Sequence, residues 1–421
     1  MTWTTVKIGD VAQVKGGKRL PKGMSVQDMV TEYPYVRVTD FDPDGVNLNS
    51  VKFISKEAHK ATSRYIINCT DVYISIAGTI GLVGIVPKQL DGANLTENAA
   101  KICEISEDIN PQFLMYFLRS RIGQGLINAQ VVGTSQPKLA LFRIKDIEIP
   151  APEKTVQDEI ASVLSKYDNL IENNNRRIAI LEDMAQSLYR EWFVNFRYPN
   201  HEDNLDADGN PKLIDSPLGQ IPEGWEVVVL ENLCNKITDG AHKSPKSVDV
   251  GVPMASVKDM HDFGINASKC RQISYEDYED LKRQDSVVKA NDILVAKDGS
   301  YLKHTFVVEK ELEMALLSSI AIIRPNEKVK PHWLAYCLRS PLVKERMKNY
   351  VSGAAIPRII LKDFRKFNLF IPPQELMDEW NSIVEEMVKQ CWNLVSRNEN
   401  LKQQRDMMLP KLISGQIELK D

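Results

Sequence analysis

Pro111-Gln-Phe-Leu-Met-Tyr-Phe-Leu-Arg-Ser120 returns 220 residues later as Pro331-His-Trp-Leu-Ala-Tyr-Cys-Leu-Arg-Ser340. The same offset relates Gly133 and Pro137 to Gly353 and Pro357. This period is too long for a solenoid, whose repeats run about 20–50 residues, and it fits a whole domain followed by a helix. The sequence therefore predicts a duplicated domain with pseudo-twofold symmetry, acting on a target that also has two halves.

Composition limits the protein class. The chain has 421 residues, of which 43% are hydrophobic and 26% charged, which predicts two or three globular domains. Its six cysteines form no C-x-x-C pair, which favours a reducing cytoplasm and argues against structural zinc. No apolar run reaches the roughly 20 residues of a membrane span, and the N-terminus lacks the apolar core of a signal peptide. The net charge of −4 does not suggest a nucleic-acid binder, so DNA binding would need local basic loops or a partner.

Shifts in composition predict five segments. The two repeats read as mixed α/β domains, because short β-branched runs such as 35–38 alternate with helical spacing such as that of Pro111–Leu126. A polar, acidic stretch rich in turn formers separates them and reads as a linker or exposed loop. The predicted order is a first domain at 1–152, a long helix at 153–197, the linker at 198–220, a second domain at 221–373, and a C-terminal helix and tail at 374–421.

Both long helices carry a heptad seam, in which steps of four and three residues alternate. The first seam comprises Ile160, Leu164, Tyr167, Ile171, Asn174, Ile178, Leu181, Ala185, Leu188 and Trp192. The second comprises Trp380, Val384, Met387, Cys391, Leu394, Asn398, Leu401 and Met408.

The seams predict that the two helices pair as an antiparallel coiled coil. About 40 residues at 1.5 Å each make a rod of roughly 60 Å, which would act as a ruler between the two domains. Arg405 interrupts the second seam, and Pro410 is expected to close that helix. Asn174 and Asn398 either fix the register of the pair or lie exposed at its edge.

Three segments, Arg176–Val194, Ile221–Trp225 and Leu409–Ile417, together resemble the specificity (S) subunits of type I restriction–modification systems. Arg176-Arg-Ile-Ala-Ile-Leu-Glu-Asp-Met-Ala-Gln-Ser-Leu-Tyr-Arg-Glu-Trp-Phe-Val194 is similar to their central helix. Ile221-Pro-Glu-Gly-Trp225 resembles the start of their second target-recognition domain, and Leu409-Pro-Lys-Leu-Ile-Ser-Gly-Gln-Ile417 resembles their ending. The repeated domain–helix plan covers essentially the whole chain.

The resemblance implies a role and partners. Each domain would read one half of a bipartite double-stranded DNA target, and the helices would dock two methyltransferase subunits. Restriction subunits would bring ATP- and Mg-dependent translocation, and the methyltransferase subunits would bring S-adenosylmethionine. The chain itself would hold no cofactor or metal and would have no catalytic activity.

The residues agree with a non-catalytic role. The sequence contains no G-x-x-x-x-G-K-[ST] phosphate loop and no Asn/Asp-Pro-Pro-Tyr/Phe segment of an adenine methyltransferase. Its six histidines form no H-x-x-x-H pair, so they read as surface or packing residues. The Trp192-Phe193 pair reads as packing, with a partner interface as the alternative.

DNA reading needs cations for phosphates and polar groups for base edges. Glycine-rich basic loops occur at matching places in the two repeats, and a solvated loop is the alternative for each. The candidates are Lys15, Lys18, Arg19, Lys22, Thr79, Gln136 and Lys138 in the first repeat, and Lys243, Lys246, Lys297, Ser300 and Arg358 in the second.

Four candidate positions have specific alternatives. For Lys138 and Arg358, a proline-stabilised turn explains the spacing equally well. Arg37 is a further candidate that could pair with guanine or form a salt bridge to Asp40 or Asp42. Lys297 and Asp298 stand where the first repeat has Ile76 and Ala77. Recognition of two different half-sites would produce such a difference, and neutral drift on the surface would produce it too.

Two rival functions follow from the same residues. A protein-binding scaffold with two adaptor domains on a coiled coil fits the low pI of about 6.0 but leaves the paired basic loops unexplained. An enzyme with an unrecognised active site is disfavoured by the missing motifs.

Overall fold

The computed structural model describes residues 3–43, 45–133, 137–205, 208–209, 212–283, 287–299, 303–352 and 358–417. These residues form two compact units. Unit 1 comprises 1–173 and 397–421, and unit 2 comprises 174–396. Each unit therefore combines one repeat with parts of both long helices. Within the described residues, no helix is both long and apolar enough to cross a membrane.

Unit 1 is a mixed α/β unit, as predicted. Its strands are β1 Thr5–Lys7, β2 Gln13–Gly16, β3 Pro34–Val36, β4 Phe41–Asp42, β5 Gly45–Val46, β6 Lys52–Phe53, β7 Ile66–Ile67, β8 Val72–Ser75, β9 Val83–Ile85, β10 Ala93–Leu95, β11 Ala99–Cys103 and β12 Glu148–Pro150. Its shorter helices are α1 Ile8–Val11, α2 Lys56–Thr62, α3 Pro111–Arg119, α4 Arg121–Ala129 and α5 Leu141–Lys145. The long helix α6, Lys154–Phe193, begins in this unit.

Two four-stranded sheets organise unit 1. The first has the order β2-β11-β8-β9 and is antiparallel throughout. The second has the order β6-β3-β10-β7, with β3 and β10 parallel. Strand β8 is buried along its whole length because it is an inner strand of the first sheet.

The prediction of one helix over Pro111–Leu126 was wrong, because Ser120 separates α3 from α4. Ser120 has an extended backbone (φ −62°, ψ 160°), and its hydroxyl accepts a hydrogen bond from the Gly123 amide. Ser120 is therefore the C-cap of one helix and the N-cap of the next. Ser340 separates the corresponding helices of unit 2 in the same way.

Unit 2 repeats this plan. Its strands are β13 Leu213–Ser216, β14 Gly219–Pro222, β15 Glu226–Val229, β16 Cys234–Asp239, β17 Val252–Ala255, β18 Met260–His261, β19 Gly264–Ile265, β20 Arg271–Ile273, β21 Ile293–Ala296, β22 Thr305–Val307, β23 Ala315–Leu316, β24 Ile320–Pro325, β25 Val351–Ser352, β26 Arg358–Ile359 and β27 Asn368–Ile371. Its shorter helices are α7 Tyr275–Arg283, α8 Pro331–Arg339, α9 Pro341–Met347 and α10 Leu361–Arg365. The long helix α11, Gln374–Ile413, begins in this unit and ends in unit 1.

The sheet orders of the two units correspond. The order β16-β24-β21-β22 matches β2-β11-β8-β9, and β20-β17-β23 matches β6-β3-β10, including its parallel pair. The pair β15-β27 matches β1-β12. The duplication predicted from the sequence is thus present in the strand topology as well.

The segment expected to be a linker contains β13 and the start of β14, which pair as a hairpin. Its turn reaches Gly219, which has a φ of +98°, a conformation that favours glycine. Each strand has only four residues, so its signal in the sequence is weak.

Helix α6 and helix α11 run antiparallel within each unit. In unit 1 the Tyr167 hydroxyl lies 3.2 Å from the Met408 sulfur, and Asp168 pairs with Arg405. In unit 2 the rings of Tyr189 and Trp380 lie 5.8 Å apart, edge to face. Later residues of α6 thus meet earlier residues of α11.

Most of the seam residues are buried. The buried members are Ile160, Leu164, Ile171, Ile178, Ala185, Trp192, Trp380, Val384, Cys391, Leu394 and Asn398. The partly exposed members are Tyr167, Asn174, Leu181, Leu188, Met387, Leu401 and Met408.

The two irregular positions of the second seam are accommodated in unit 1. The guanidinium of Arg405 lies 2.6 Å from the carboxylate of Asp168, which also accepts a hydrogen bond from the Tyr116 hydroxyl. Pro410 does not close α11, which ends at Ile413. A proline inside a helix costs about 3 kcal/mol, and burial of Leu412 and Ile413 in the core of unit 1 offsets that cost.

Candidate nucleic-acid interface

Four segments of unit 1 meet through backbone hydrogen bonds, and we call this place the first junction (residues 17–19, 76–79, 95–99 and 138–139). The amide of Gly17 donates to Ala99 at 3.0 Å, and that of Lys18 donates to Leu95 at 2.9 Å. The amide of Ile76 donates to Asn98 at 2.8 Å, and that of Leu139 donates to Ile76 at 3.0 Å. The junction therefore fixes the backbone positions of loops that are distant in sequence.

The close approach at the first junction requires glycine at position 17. A Cβ atom there would overlap the carbonyl oxygens of Leu95 and Thr96. These are backbone atoms that cannot move independently, so a larger residue would push the basic loop off the sheet.

The first junction brings together several predicted candidates. Lys18, Arg19, Thr79 and Lys138 all belong to it, and their side chains are exposed. The guanidinium of Arg19 lies 2.6 Å from Glu97, yet its side chain is 80% exposed. Solvent screens an ion pair so exposed, so it holds Arg19 only weakly. The junction thus presents cations and a hydroxyl on one surface of unit 1.

Unit 2 contains a second junction with the same hydrogen bonds (residues 239–241, 297–299, 316–320 and 358–359). The amide of Gly240 donates to Ile320 at 3.1 Å, and that of Ala241 donates to Leu316 at 2.7 Å. The amide of Lys297 donates to Ser319 at 2.9 Å, and that of Ile359 donates to Lys297 at 3.2 Å. Gly240 occupies the position that corresponds to Gly17, and a Cβ atom there would overlap the carbonyl oxygen of Leu316.

The side chains of the second junction differ from those of the first. The ammonium of Lys297 lies 2.6 Å from the carboxylate of Asp239, and the Lys297 side chain is only 9% exposed. His242 contacts the other oxygen of Asp239 at 3.1 Å. Arg358 Nε lies 3.1 Å from Asp298 Oδ1. Lys297, a predicted DNA contact, therefore forms a buried ion pair within unit 2, whereas Arg358 lies at the surface.

The other candidates that the structure describes lie outside the two junctions. Arg37 forms two hydrogen bonds to the Asp40 carboxylate at 2.7 and 3.1 Å, which favours the salt-bridge alternative. Arg37 lies directly after β3. The strand predicted over 35–38 ends at Val36, and a 3-10 helix follows at Val38–Asp40.

Lys15 donates to Glu104, and this hydrogen bond raises the pKa of Lys15. Lys22, Lys243 and Lys246 are exposed. Gln136 and Ser300 fall outside the described residues.

Sequence reasoning missed Glu97, Asn98, Asp239 and Ser319, which join the loops together. No periodicity marks them, because they act through backbone or ionic contacts to distant segments. Within the described residues, no cluster of three His, Cys, Asp or Glu side chains could hold a metal ion.

Comparison with known proteins identifies the family. Residues 1–183 and 222–393 match the family model described as the type I restriction modification DNA specificity domain. The chain belongs to this DNA specificity family. The two matches correspond to the two repeats, and the chain is a non-catalytic specificity subunit of a type I restriction–modification system.

Curated relatives extend over the whole chain. The MjaIX specificity subunit of Methanocaldococcus jannaschii is 24% identical over 100% of this chain and 94% of its own length. The HindI specificity subunit of Haemophilus influenzae is 20% identical over 88% of this chain and 90% of its own length. The crystal structure of the type I S subunit from M. genitalium has a TM-score of 0.54 and 16% identity over 99% of this chain and 97% of that one. This structural likeness concerns the fold.

Proposed function

We propose that this specificity subunit reads a bipartite DNA target, one half-site with each repeat, and directs methyltransferase and restriction subunits to it. The observation that carries the proposal is the pair of junctions. Their backbone hydrogen bonds correspond one by one, whereas their side chains differ. Two junctions with the same backbone structure and different side chains are suited to recognising two different half-sites.

We further propose that α6 and α11 form one antiparallel coiled coil that sets the distance between the half-sites. The antiparallel contacts within each unit and the buried seams support this proposal. The pseudo-twofold relation between the repeats would then place two similar surfaces for two copies of a methyltransferase subunit. The net charge of −4 is compatible with DNA binding if those partners supply part of the phosphate contacts.

In this proposal the cofactors belong to the partners. S-adenosylmethionine would bind the methyltransferase subunits, and ATP with Mg would bind the restriction subunits. The residues of this chain would bind and orient double-stranded DNA, and the complex would act in the cytoplasm.

Long-read methylome sequencing of the native host, with and without the gene, tests the role in vivo. Loss of adenine methylation at one split motif on deletion is the expected result. A complex reconstituted from this chain and its methyltransferase partner should bind that motif specifically. A reconstituted complex that binds DNA without any split preference would contradict the proposal.

Charge removal tests the first junction. Lys18→Ala with Lys138→Ala should weaken binding to all sequences and reduce the slope of log affinity against log salt by about 0.9 per lost phosphate contact. Lys7→Ala is the matched control, because Lys7 is a paired, half-exposed lysine of β1 in the same unit. Equal effects of the double variant and the control would contradict a DNA contact at the junction.

A further inference from the structure

The two junctions differ most clearly in one pair of facing residues. Ala77 forms an antiparallel bridge with Lys138 in the first junction, and Asp298 forms the same bridge with Arg358 in the second. The first junction therefore offers a hydrogen-bond donor at this place, whereas the second offers a donor beside an acceptor.

The backbone holds Asp298 and Arg358 in place. The amide of Asp298 donates to Ser319 at 3.3 Å, and the amide of the next residue after Arg358, Ile359, donates to Lys297 at 3.2 Å. The neighbouring cation Lys297 is bound to Asp239, so Arg358 is the ion-pair partner that the structure gives to Asp298.

The ion pair between Asp298 and Arg358 leaves hydrogen-bonding capacity unused. Nε and Oδ1 are 3.1 Å apart, but Oδ1 is buried and accepts no hydrogen bond from the described residues. A buried acceptor without a hydrogen-bond donor is energetically unfavourable. The Arg358 side chain is 60% exposed, compared with 17% for Asp298. A movement of this exposed side chain would take the neighbouring cation away from the carboxylate and leave it in need of a donor.

A carboxylate on a DNA-reading surface repels phosphates, so it favours binding only where a base donates to it. In the major groove, guanine presents the acceptors N7 and O6, and cytosine presents the N4 amino donor beside them. A guanidinium next to a carboxylate is complementary to this pattern, because arginine pairs with guanine and aspartate accepts from cytosine N4.

We propose that Asp298 and Arg358 together read one C·G base pair in the half-site of the second repeat. This inference rests on the proposed function of the junctions as DNA-reading surfaces. Arg358 turns toward guanine O6 and N7, and the Asp298 carboxylate accepts from cytosine N4. Ala77 and Lys138 impose no such requirement for cytosine on the half-site of the first repeat.

The test uses the complex of the full chain with its methyltransferase partner. Its affinity is measured against DNA duplexes in which each base pair of the split target is replaced in turn. Asp298→Ala should reduce the preference for C·G at one position of the second half-site by about ten- to a hundredfold, since one base contact gives discrimination of that order. Arg358→Ala should relax the same position, and the first half-site should stay unchanged.

Asp280→Ala is the matched control, because Asp280 pairs with Arg283 on the exposed surface of α7 in the same unit. This variant should keep the wild-type preference at every position. Asp298→Asn preserves the shape of the side chain and is measured as well, in case the alanine variant folds poorly. It should move the preference at that position from C·G toward A·T, because asparagine pairs with adenine.

The outcomes separate this inference from the proposed function. If the wild-type complex shows no split preference, the proposed function fails. If it reads a split target but the Asp298 and Arg358 variants keep its full preference at every position, only this inference is overturned. A general loss of affinity without relaxation at one base pair also overturns it, since that result indicates a structural or phosphate-binding role.

Discussion

Leu164→Ala and Leu170→Ala make the same chemical change on one helix at positions of opposite burial. Leu164 is fully buried in the core of unit 1, and Leu170, six residues later on α6, is 52% exposed. Because both changes alter helix propensity equally, the difference between them measures packing alone. Loss of a buried leucine side chain costs about 2–5 kcal/mol, including the cavity term. The exposed change should stay within about 0.5 kcal/mol.

Hydrogen–deuterium exchange of peptides from α3 and the first half of α6 measures the two effects in the folded protein. When exchange follows the opening equilibrium, each 1.4 kcal/mol raises the exchange rate about tenfold. Leu164→Ala should therefore accelerate the slowest amides of these peptides by roughly thirty- to several thousandfold, and Leu170→Ala by about twofold at most. Similar acceleration by both variants would refute the assignment of Leu164 to the seam and Leu170 to the surface.

Three further predictions concern other parts of the chain. Arg405→Ala should destabilise unit 1 by about 3–5 kcal/mol in urea unfolding, because it leaves the Asp168 carboxylate without its cation. Adding Asp168→Ala should recover part of that loss, and losses of stability that simply add in the double variant would argue against coupling of the two residues. Burial lowers the pKa of His332 to about 4 from 6.5, so the unfolded chain gains its proton first as pH falls. The stability contributed by neutral His332 should be complete above about pH 6.5 and decline toward pH 4. In urea unfolding over this pH range, the His332→Gln variant should lack this pH-dependent part of the unfolding free energy. Gly17→Ala should destabilise the first junction through overlap with the Thr96 carbonyl, whereas Gly125→Ala in α4, which meets no neighbouring atom, should stabilise the protein by about 0.5–1 kcal/mol in thermal unfolding.

The sequence predicted the elements whose signals repeat along the chain. The duplicated Pro…Arg-Ser motif predicted two equivalent domains, and the corresponding sheet orders confirm the duplication. The heptad steps fall on many of the buried residues of both long helices, because helical periodicity places such residues on one side of the helix, but they omit Phe193 and Met377, which are fully buried. The break at Ser120 was missed because apolar spacing continues through it, and only the extended backbone of that residue separates α3 from α4.

The candidate site was predictable only in part. Glycines among lysines pointed to the basic loops, and the divergence between Ala77 and Asp298 marked a position where the repeats differ. The burial of Lys297 was not predictable, because its partner Asp239 lies 58 residues earlier in sequence and no local pattern links them. The bidentate salt bridge of Arg37 was one of two alternatives, and the 3-10 helix that brings Asp40 back to it decided the contact.

The sequence by itself determined the duplication, the mixed α/β class and the two long amphipathic helices, because these depend on local periodicity and on similarity between segments. The tertiary structure decided which loops meet at each junction and which charges remain at the surface. Those outcomes depend on hydrogen bonds and ion pairs between residues that are distant in sequence. Lys297 and Ser319 are 22 positions apart, and Arg19 and Glu97 are 78 positions apart. Such contacts form only after the sheets have brought the loops together, so no local pattern in the sequence records them.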